Sequence, residues 1–365
     1  SSEIDINVLS PLNNSKSRAS DVNLNWTSDK ILSFCAYDLD DSINSTNICK
    51  RKNTYLDNLT SGYFSSSVTG VEIQGDYAYT TSYANDSFTI VNISNPSDIS
   101  IVGVLSGASL DGVSDLKIEG DYAYITAGAI SKFLIVNISD VESPSILSSF
   151  SHSSIISPYA IAYENDVVYI SSLAGNKITS VNVSNRSNPS YLGDMTHSSF
   201  SIILGLFASS GYLYATSLAN NSISIIDTLQ KDNLSVLSTI YDSTNLVTPN
   251  KPIKKKDYLY VISLGKANII NVSNKSSPEI VSTLSLGGLQ SSDLAVFENS
   301  LYVSTGTGDS ILEFDISNVS SPVLVETFSE VDLDSYQIAS GEDKLAFVTS
   351  ANLFALLDIE MENFN

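Results

Sequence analysis

The sequence predicts an all-β protein, a seven-bladed β-propeller behind a short N-terminal β-module. Two observations carry that reading. A unit of about 45 residues recurs along the chain, the period of four-stranded propeller blades. Each unit also reads as short runs of β-branched and aromatic residues bounded by Gly, Asn, Asp and Pro, which is the strand signature. No window sustains the 3.6-residue period of a helix.

The repeat has three markers in register. A tyrosine falls inside each second strand, at Tyr79, Tyr124, Tyr169, Tyr214, Tyr260 and Tyr302, and Phe347 is assigned that place in the last unit. A polar residue ends each third strand, at Asn92, Asn137, Asn182, Asp227, Asn271, Asp315 and Asp358. A proline follows in five units, at Pro96, Pro144, Pro189, Pro278 and Pro322. In the first unit, Val71 to Ile73 alternates and turns at Gly75-Asp76. Strands follow at Tyr77 to Thr81, Phe88 to Ile93 and Ile99 to Leu105. Such sheets bury both faces only by stacking radially. Tyrosines recurring in every blade predict packing between blades rather than a sugar-stacking platform.

The segments Phe88 to Pro96 (FTIVNISNP) and Phe133 to Ser139 (FLIVNIS), with the preceding Gly-Asp-Tyr-Ala-Tyr at Gly75 and Gly120, resemble the LVIVD-repeat propellers. The resemblance runs from about residue 68 to the C-terminus and implies a bacterial or archaeal surface or secreted protein. The family's aspartate is asparagine in four units here, which creates sequons at Asn92, Asn137, Asn182 and Asn271. A strand-end residue of this kind can instead cap a turn.

Residues 1–66 follow another pattern and form the first expected domain, with the propeller at 67–365. Ile4 to Leu9 and Val22 to Trp26 alternate. Ile31 to Leu39 carries Cys35, and Ile48 to Leu59 carries Cys49. These two cysteines flank a polar turn and read as a hairpin disulfide in a secreted chain, with two free thiols as the alternative. The run VNLNWTSDKILSFCAYDLDD resembles the small Ig-like modules of archaeal surface proteins, which implies a β-sandwich.

The seventh unit supplies three strands, Tyr336 to Ala339, Leu345 to Thr349 and Leu353 to Ile359. An open strand edge invites pairing, so a fourth strand is expected from elsewhere. Two segments could provide it, Asn53 to Phe64 or Glu3 to Ser10. The first reading is closure within the chain. The sharper one is that Glu3, Ile4, Asp5, Ile6, Asn7, Val8 and Leu9 form an assembly strand that completes a neighbouring copy and builds a polymer.

Composition narrows the function. Net charge is −22 with only 18 Lys and Arg, which disfavours nucleic acid and anionic membrane surfaces. No run approaches the roughly 20 apolar residues that span a bilayer. The start at Ser1-Ser2-Glu3 fits removal of a signal peptide, so an extracellular, cell-surface location is expected. Sequons at Asn13, Asn25, Asn44, Asn58, Asn85, Asn92, Asn137, Asn182, Asn185, Asn220, Asn233, Asn271, Asn274 and Asn318 are glycosylation candidates.

Catalytic signatures are weak. His152 and His197 lie in equivalent loops without an adjoining acid or nucleophile motif, and no zinc-spaced or phosphate-loop motif occurs. No cofactor is expected. Carboxylates cluster at Asp38, Asp40 and Asp41 and at Glu330, Asp332 and Asp334; they could hold Ca²⁺ but lack the EF-hand spacing. Lys251, Lys254, Lys255 and Lys256 form the one basic cluster, a solvated turn or a contact with an acidic neighbouring subunit. Three functions compete. The leading one is a non-catalytic subunit of a cell-surface filament, sheath or surface layer, with itself or other surface proteins as partner. The second is an adhesin that binds a glycan or protein through propeller loops. The third is a secreted propeller enzyme.

Overall fold

A computed structural model describes residues 54–64, 68–306, 310–329, 335–341, 344–349 and 353–358. The chain divides into two units, Ser1–Lys52 and Asn53–Asn365. The second is the propeller, seven antiparallel four-stranded sheets. Blade one comprises Val68–Gln74, Tyr77–Ser82, Ser87–Asn92 and Ser100–Ser106, and the next five repeat that plan. The first strands face one another around the axis: Val68–Gln74, Val113–Glu119, Pro158–Glu164, Ile203–Ser209, Asn250–Lys255, Ser291–Phe297 and Ser335–Ser340.

Blade seven closes within the chain. Thr54–Thr60 pairs antiparallel with Leu353–Asp358, placing Thr60 opposite Leu353 and Thr54 opposite Asp358. The expected fourth strand is thus the segment at 54–60, and ring closure makes no demand on Glu3 to Leu9. The domain boundary moves with it, from 66/67 to 52/53, because the closing strand belongs to the propeller. The seventh unit also corrects a marker. Tyr302 lies opposite Ala295, and the equivalent pair is Ala346 opposite Ala339. Ala346, not Phe347, therefore holds the tyrosine position. The spacing is not constant in the last units, because their loops differ in length, and a step of about 45 residues from Tyr302 overshoots by one.

The six tyrosines are buried, as packing between blades requires. Tyr79 and Phe88 stack at 6.1 Å, and Tyr124 and Phe133 at 6.2 Å. Burial pushes the Tyr79 and Tyr260 phenols up to about 12.

Antiparallel meanders give the ring two unlike faces. The lower face carries the loops joining strands one to two and three to four. There, in blades one to six, the residue ending the third strand accepts the backbone N–H two positions on: Asn92 from Ser94, Asn137 from Ser139, Asn182 from Ser184, Asp227 from Leu229, Asn271 from Ser273 and Asp315 from Ser317. The polar marker is therefore an Asx turn, which asparagine and aspartate serve equally. A second Asx turn follows at Asn95, Asp140, Asn185, Asn274 and Asn318.

The upper face carries the two-to-three turns and the crossovers between blades. Asp86, Ser131, Asn176 and Asn221 adopt left-handed backbone there. Each side chain accepts the N–H that opens the next blade, at Gly112, Ser157, Ile202 and Thr248 respectively.

Outer strands lock to the following blade as well. Ser148, Ser238 and Ser282 donate their hydroxyls to the carbonyls of Arg186, Lys275 and Val319 in the next lower loop. Gly103 and Gly193 hold the same register position. A Cβ there would fall 2.0 Å from the Val141 carbonyl oxygen and 2.3 Å from that of Asp232.

Candidate functional site

The first strands position the site. Each is bulged near its start, where the ladder to the second strand skips a residue. A bulge re-aims side chains and recurs beside functional sites. Just inside it, one equivalent position per blade forms a ring around the channel: Gly70, Asp115, Ala160, Gly205, Lys251, Asp293 and Gln337. The glycines are set by the next blade, which packs directly against them. A Cβ on Gly205 would meet Pro252 at 2.4 Å, and one on Gly70 would meet Leu116 at 2.3 Å.

The polar members hold fixed roles. Asp115 accepts from Leu116 N–H and, across the blade interface, from Ile161 N–H, both at 3.0 Å. Asp293 repeats this with Leu294 N–H at 2.8 Å and Ile338 N–H at 3.3 Å. Each carboxylate thus ties its blade to the next. Lys251, at φ 49, reaches from blade five into the channel. Its Nζ donates to Gln337 Oε1 at 2.9 Å and lies 3.8 Å from Asp293 Oδ2. Deeper in, Lys117 pairs with Glu72.

Electrostatics follow from burial and pairing. Burial alone would lower the Lys251 ammonium, but Asp293, Asp115 and Glu72 outweigh it and hold the group up at about 12. Burial raises the Asp293 carboxyl, against the opposing pull of Lys251 and of two backbone N–H groups. Lys117 is likewise held up by Glu72 against its own burial. A lysine kept protonated cannot act as a nucleophile, which needs the neutral amine. Here the Lys251 ammonium is held beside Asp293 and Gln337.

Asp115, Leu204 and Lys251 line both the upper mouth of the channel and the cavity below it, so they form the neck between the two. The cavity holds about 290 Å³ and is walled below the neck by Ile73, Leu206 and Phe207, with Lys117 and Glu72 among them. Its chemistry is that of a small amphipathic recess with a collar of paired charges, Lys251 between Asp115 and Asp293.

The upper face carries exposed apolar side chains among polar ones. Tyr63, Tyr83, Ile156, Ile202, Tyr241 and Leu264 are all exposed on it, Tyr83 at 53% and Leu264 at 54%. On the lower face, Leu229 alone among the described residues is a large exposed apolar side chain. Ile202 is the unusual member. It adopts φ 57, as its counterparts Gly112, Ser157 and Thr248 do at φ 74, 47 and 50, so the crossover imposes left-handed backbone at this position. A β-branched residue is strained in that region.

The residues expected from sequence are scattered. Of the basic cluster, Lys251 lies in the channel rather than on a solvated turn. Its side chain is only 24% exposed, because the bulge turns it inward. Lys254 and Lys255 are half-buried further along the same strand, and Lys256 sits exposed in the lower turn. Both histidines cap upper-face crossovers. His152 Nδ1 accepts Ser154 N–H and His197 Nδ1 accepts Ser199 N–H, each at 3.2 Å. His152 also stacks on Tyr191 at 4.0 Å, and neither histidine lines the channel cavity or its mouth.

Cys35, Cys49, Asn13, Asn25, Asn44, Asp38, Asp40, Asp41, Glu330, Asp332, Asp334 and the strand Glu3 to Leu9 lie outside the described residues, and so does the expected Ig-like fold of residues 1–66 up to residue 53. Asn58 falls on the closing strand. Sequence reasoning missed Asp115, Lys117, Glu72, Asp293 and Gln337. Aligning the repeats on the first strand would have exposed Asp115, Asp293 and Gln337 as polar variants at a position that is small in blades one, three and four, and Glu72 and Lys117 as charges at a position that is apolar in the other blades.

No helix among the described residues is long and apolar enough to cross a membrane. No curated protein matches the chain in sequence. Residues 66–105, 112–151, 255–285 and 288–330 match the LVIVD repeat. Among solved structures, virginiamycin B lyase from Staphylococcus aureus is similar at 14% identity and a TM-score of 0.66, over 83% of this chain and 99% of that one. The WD40 domain of Neurospora crassa Pan2 is similar at 9% identity and a TM-score of 0.66, over 85% and 96%. A functionally unknown protein from Desulfotomaculum acetoxidans is similar at 16% and 0.63, over 80% and 91%. At such identities the likeness is one of fold, and it spans a lyase and a WD40 domain alike. The chain therefore carries LVIVD repeats within a seven-bladed β-propeller.

Proposed function

We propose that this chain is a non-catalytic, extracellular binding protein that docks another cell-surface protein on the upper face of its propeller. The observation that carries the reading is Ile202. An exposed, β-branched side chain held in left-handed backbone costs about 1–2 kcal/mol. The crossover shares this backbone at Thr248, and what Ile202 adds is an exposed apolar side chain that the crossover does not require. Aliphatic Ile156, Ile202 and Leu264 between tyrosines suit a protein surface, since apolar and aromatic anchors dominate binding energy there. The Lys251 ammonium at the neck adds a cation for a partner's carboxylate or carbonyl. Because it is protonated and paired, it favours recognition over covalent chemistry.

The test is site-specific photo-cross-linking on intact cells. A cross-linker at Tyr83 or Leu264 is expected to capture one discrete protein, and one at Ser94 on the lower face to capture none. Equal labelling from both faces would sink the reading.

A second reading, a subunit of a surface assembly, is favoured by the fourth strand of blade six. Val323, Leu324 and Val325 are consecutive and exposed on this outer edge, at 60%, 50% and 56%. Such an edge is a template for pairing with another chain. Ring closure within the chain removes the need for strand exchange that first suggested a polymer, so this reading ranks second.

A further inference from the structure

The propeller presents ten sequons with described side chains, and the fold sorts them by face. Eight lie on the lower loops: Asn92, Asn137, Asn182, Asn185, Asn233, Asn271, Asn274 and Asn318. Two, Asn85 and Asn220, lie in the upper two-to-three turns.

The upper pair is chemically committed. Asn85 Nδ2 donates to the Gly62 carbonyl, and Asn220 Nδ2 donates to the Ser198 carbonyl at 3.2 Å. The hydroxyl residues of these two sequons, Ser87 and Ser222, are both fully buried. A transferase must reach the asparagine nitrogen and the hydroxyl together, and here the hydroxyl is buried and the nitrogen already hydrogen-bonded.

Four of the lower sequons are open. Asn185, Asn233, Asn274 and Asn318 are exposed, as are Ser187, Ser235, Ser276 and Ser320 that complete them. At Asn185, Asn274 and Asn318 only Oδ1 is engaged, by the N–H of the sequon serine at 3.2, 3.1 and 3.2 Å. Each Asx turn therefore holds the asparagine with Oδ1 folded back and Nδ2 outward. The Asn92, Asn137, Asn182 and Asn271 side chains, at the strand ends, are half-buried by comparison.

We infer that Asn185, Asn233, Asn274 and Asn318 are N-glycosylation sites, so that glycans coat the lower face of the propeller and leave the upper face bare. The reaction joins Nδ2 to the anomeric carbon of a sugar carried by a lipid-linked glycosyl phosphate. The N–C bond forms, the C–O bond to phosphate breaks, and the amide proton leaves with the phosphate. The donor and its transferase come from the cell. The inference rests on the extracellular reading above and extends it to orientation, since a glycan coat on one side leaves only the apolar side for protein contact.

The test is glycopeptide mass mapping of the full chain purified from its own cells, before and after chemical deglycosylation. Sugar masses are expected on the peptides holding Asn185, Asn233, Asn274 and Asn318, with those of Asn85 and Asn220 bare. Replacing Ser187, Ser235, Ser276 and Ser320 together by Ala is expected to remove those sugar masses while keeping the Asx turns, which use only the backbone N–H of Ser187, Ser276 and Ser320. Sugar on Asn85 or Asn220, or four bare lower sites beside occupied Asn13, Asn25 or Asn44, would overturn the inference and leave the extracellular reading standing. A chain bare at every sequon would overturn both.

Discussion

Ile202 stands where blade two has Gly112, and both N–H groups are held by the preceding blade's turn. Glycine occupies left-handed backbone at no steric cost. Ile202→Gly is therefore expected to raise stability by about 0.5–1 kcal/mol, the relieved strain less the added freedom of the unfolded chain. In the same variant, capture of the partner by the Tyr83 cross-linker should fall at least tenfold. Urea denaturation and quantified cross-linking read the two effects, and a destabilised variant that binds normally would refute the role given to Ile202. Asp194 offers a test of the electrostatics. Burial alone would raise its carboxyl, but the Ser154 hydroxyl, Lys177 and the Tyr191 hydroxyl outweigh it and hold the group below its ordinary value. A folded-state pKa below the unfolded one adds stability above the unfolded value, and that stability is lost as pH falls through the folded one. Asp194→Asn should flatten the acid limb of the stability curve below about pH 4 and leave its shape at neutral pH unchanged. An unaltered acid limb would show that the cluster is not formed.

At the scale of the element, the lock between outer strand and following lower loop is made in two ways. Serine bridges to the loop carbonyl with a hydroxyl, and glycine lets the carbonyl touch the strand itself. Gly193→Val should therefore cost about 2–3 kcal/mol by overpacking against Asp232, with an unchanged denaturant slope. Valine at Ser94, in an exposed lower loop, should cost under about 0.5 kcal/mol. Strands, turns and the Asx residues were legible in the sequence because each depends on local chemistry. Alternation marks a strand, and asparagine or aspartate after an apolar run marks the turn that follows. The polar ring in the channel was not legible, for a physical reason. Lys251 sits beside Lys254, Lys255 and Lys256 in the chain and reads with them as one basic turn. A bulge, which leaves no mark in hydrophobic pattern, separates them and sends Lys251 inward. Asp115 and Asp293 look like ordinary strand-edge polar residues until Ile161 and Ile338 of the next blades are seen to donate to them. The upper face was equally hidden, since Tyr63, Tyr83, Ile156 and Leu264 come from different loops that only the ring brings to one side.

For the whole molecule, the ring is held by contacts between neighbouring blades and by one long-range pairing. Leu59 packs into the cluster that joins blade seven to blade one, with Phe64, Val68, Phe354 and Leu356. Proline at Asn58 and Thr60 removes two backbone donors from the closing strand. The double variant should lose about 3 kcal/mol or more and expose the edge of Leu353–Asp358. Urea unfolding and size-exclusion chromatography would report a lower midpoint together with new oligomers; a monomer of unchanged midpoint would contradict the closure described. The same pairing orders events at the ribosome. Each of the first six blades has its four strands consecutive in the chain, so each can zip as it emerges. The closing strand is made before all of them and meets its partner only when residues 353–358 have left the exit tunnel. Until then Thr54–Thr60 waits unpaired while six finished blades stand as an open arc, and the nascent chain is most exposed to mispairing or chaperone capture in that interval.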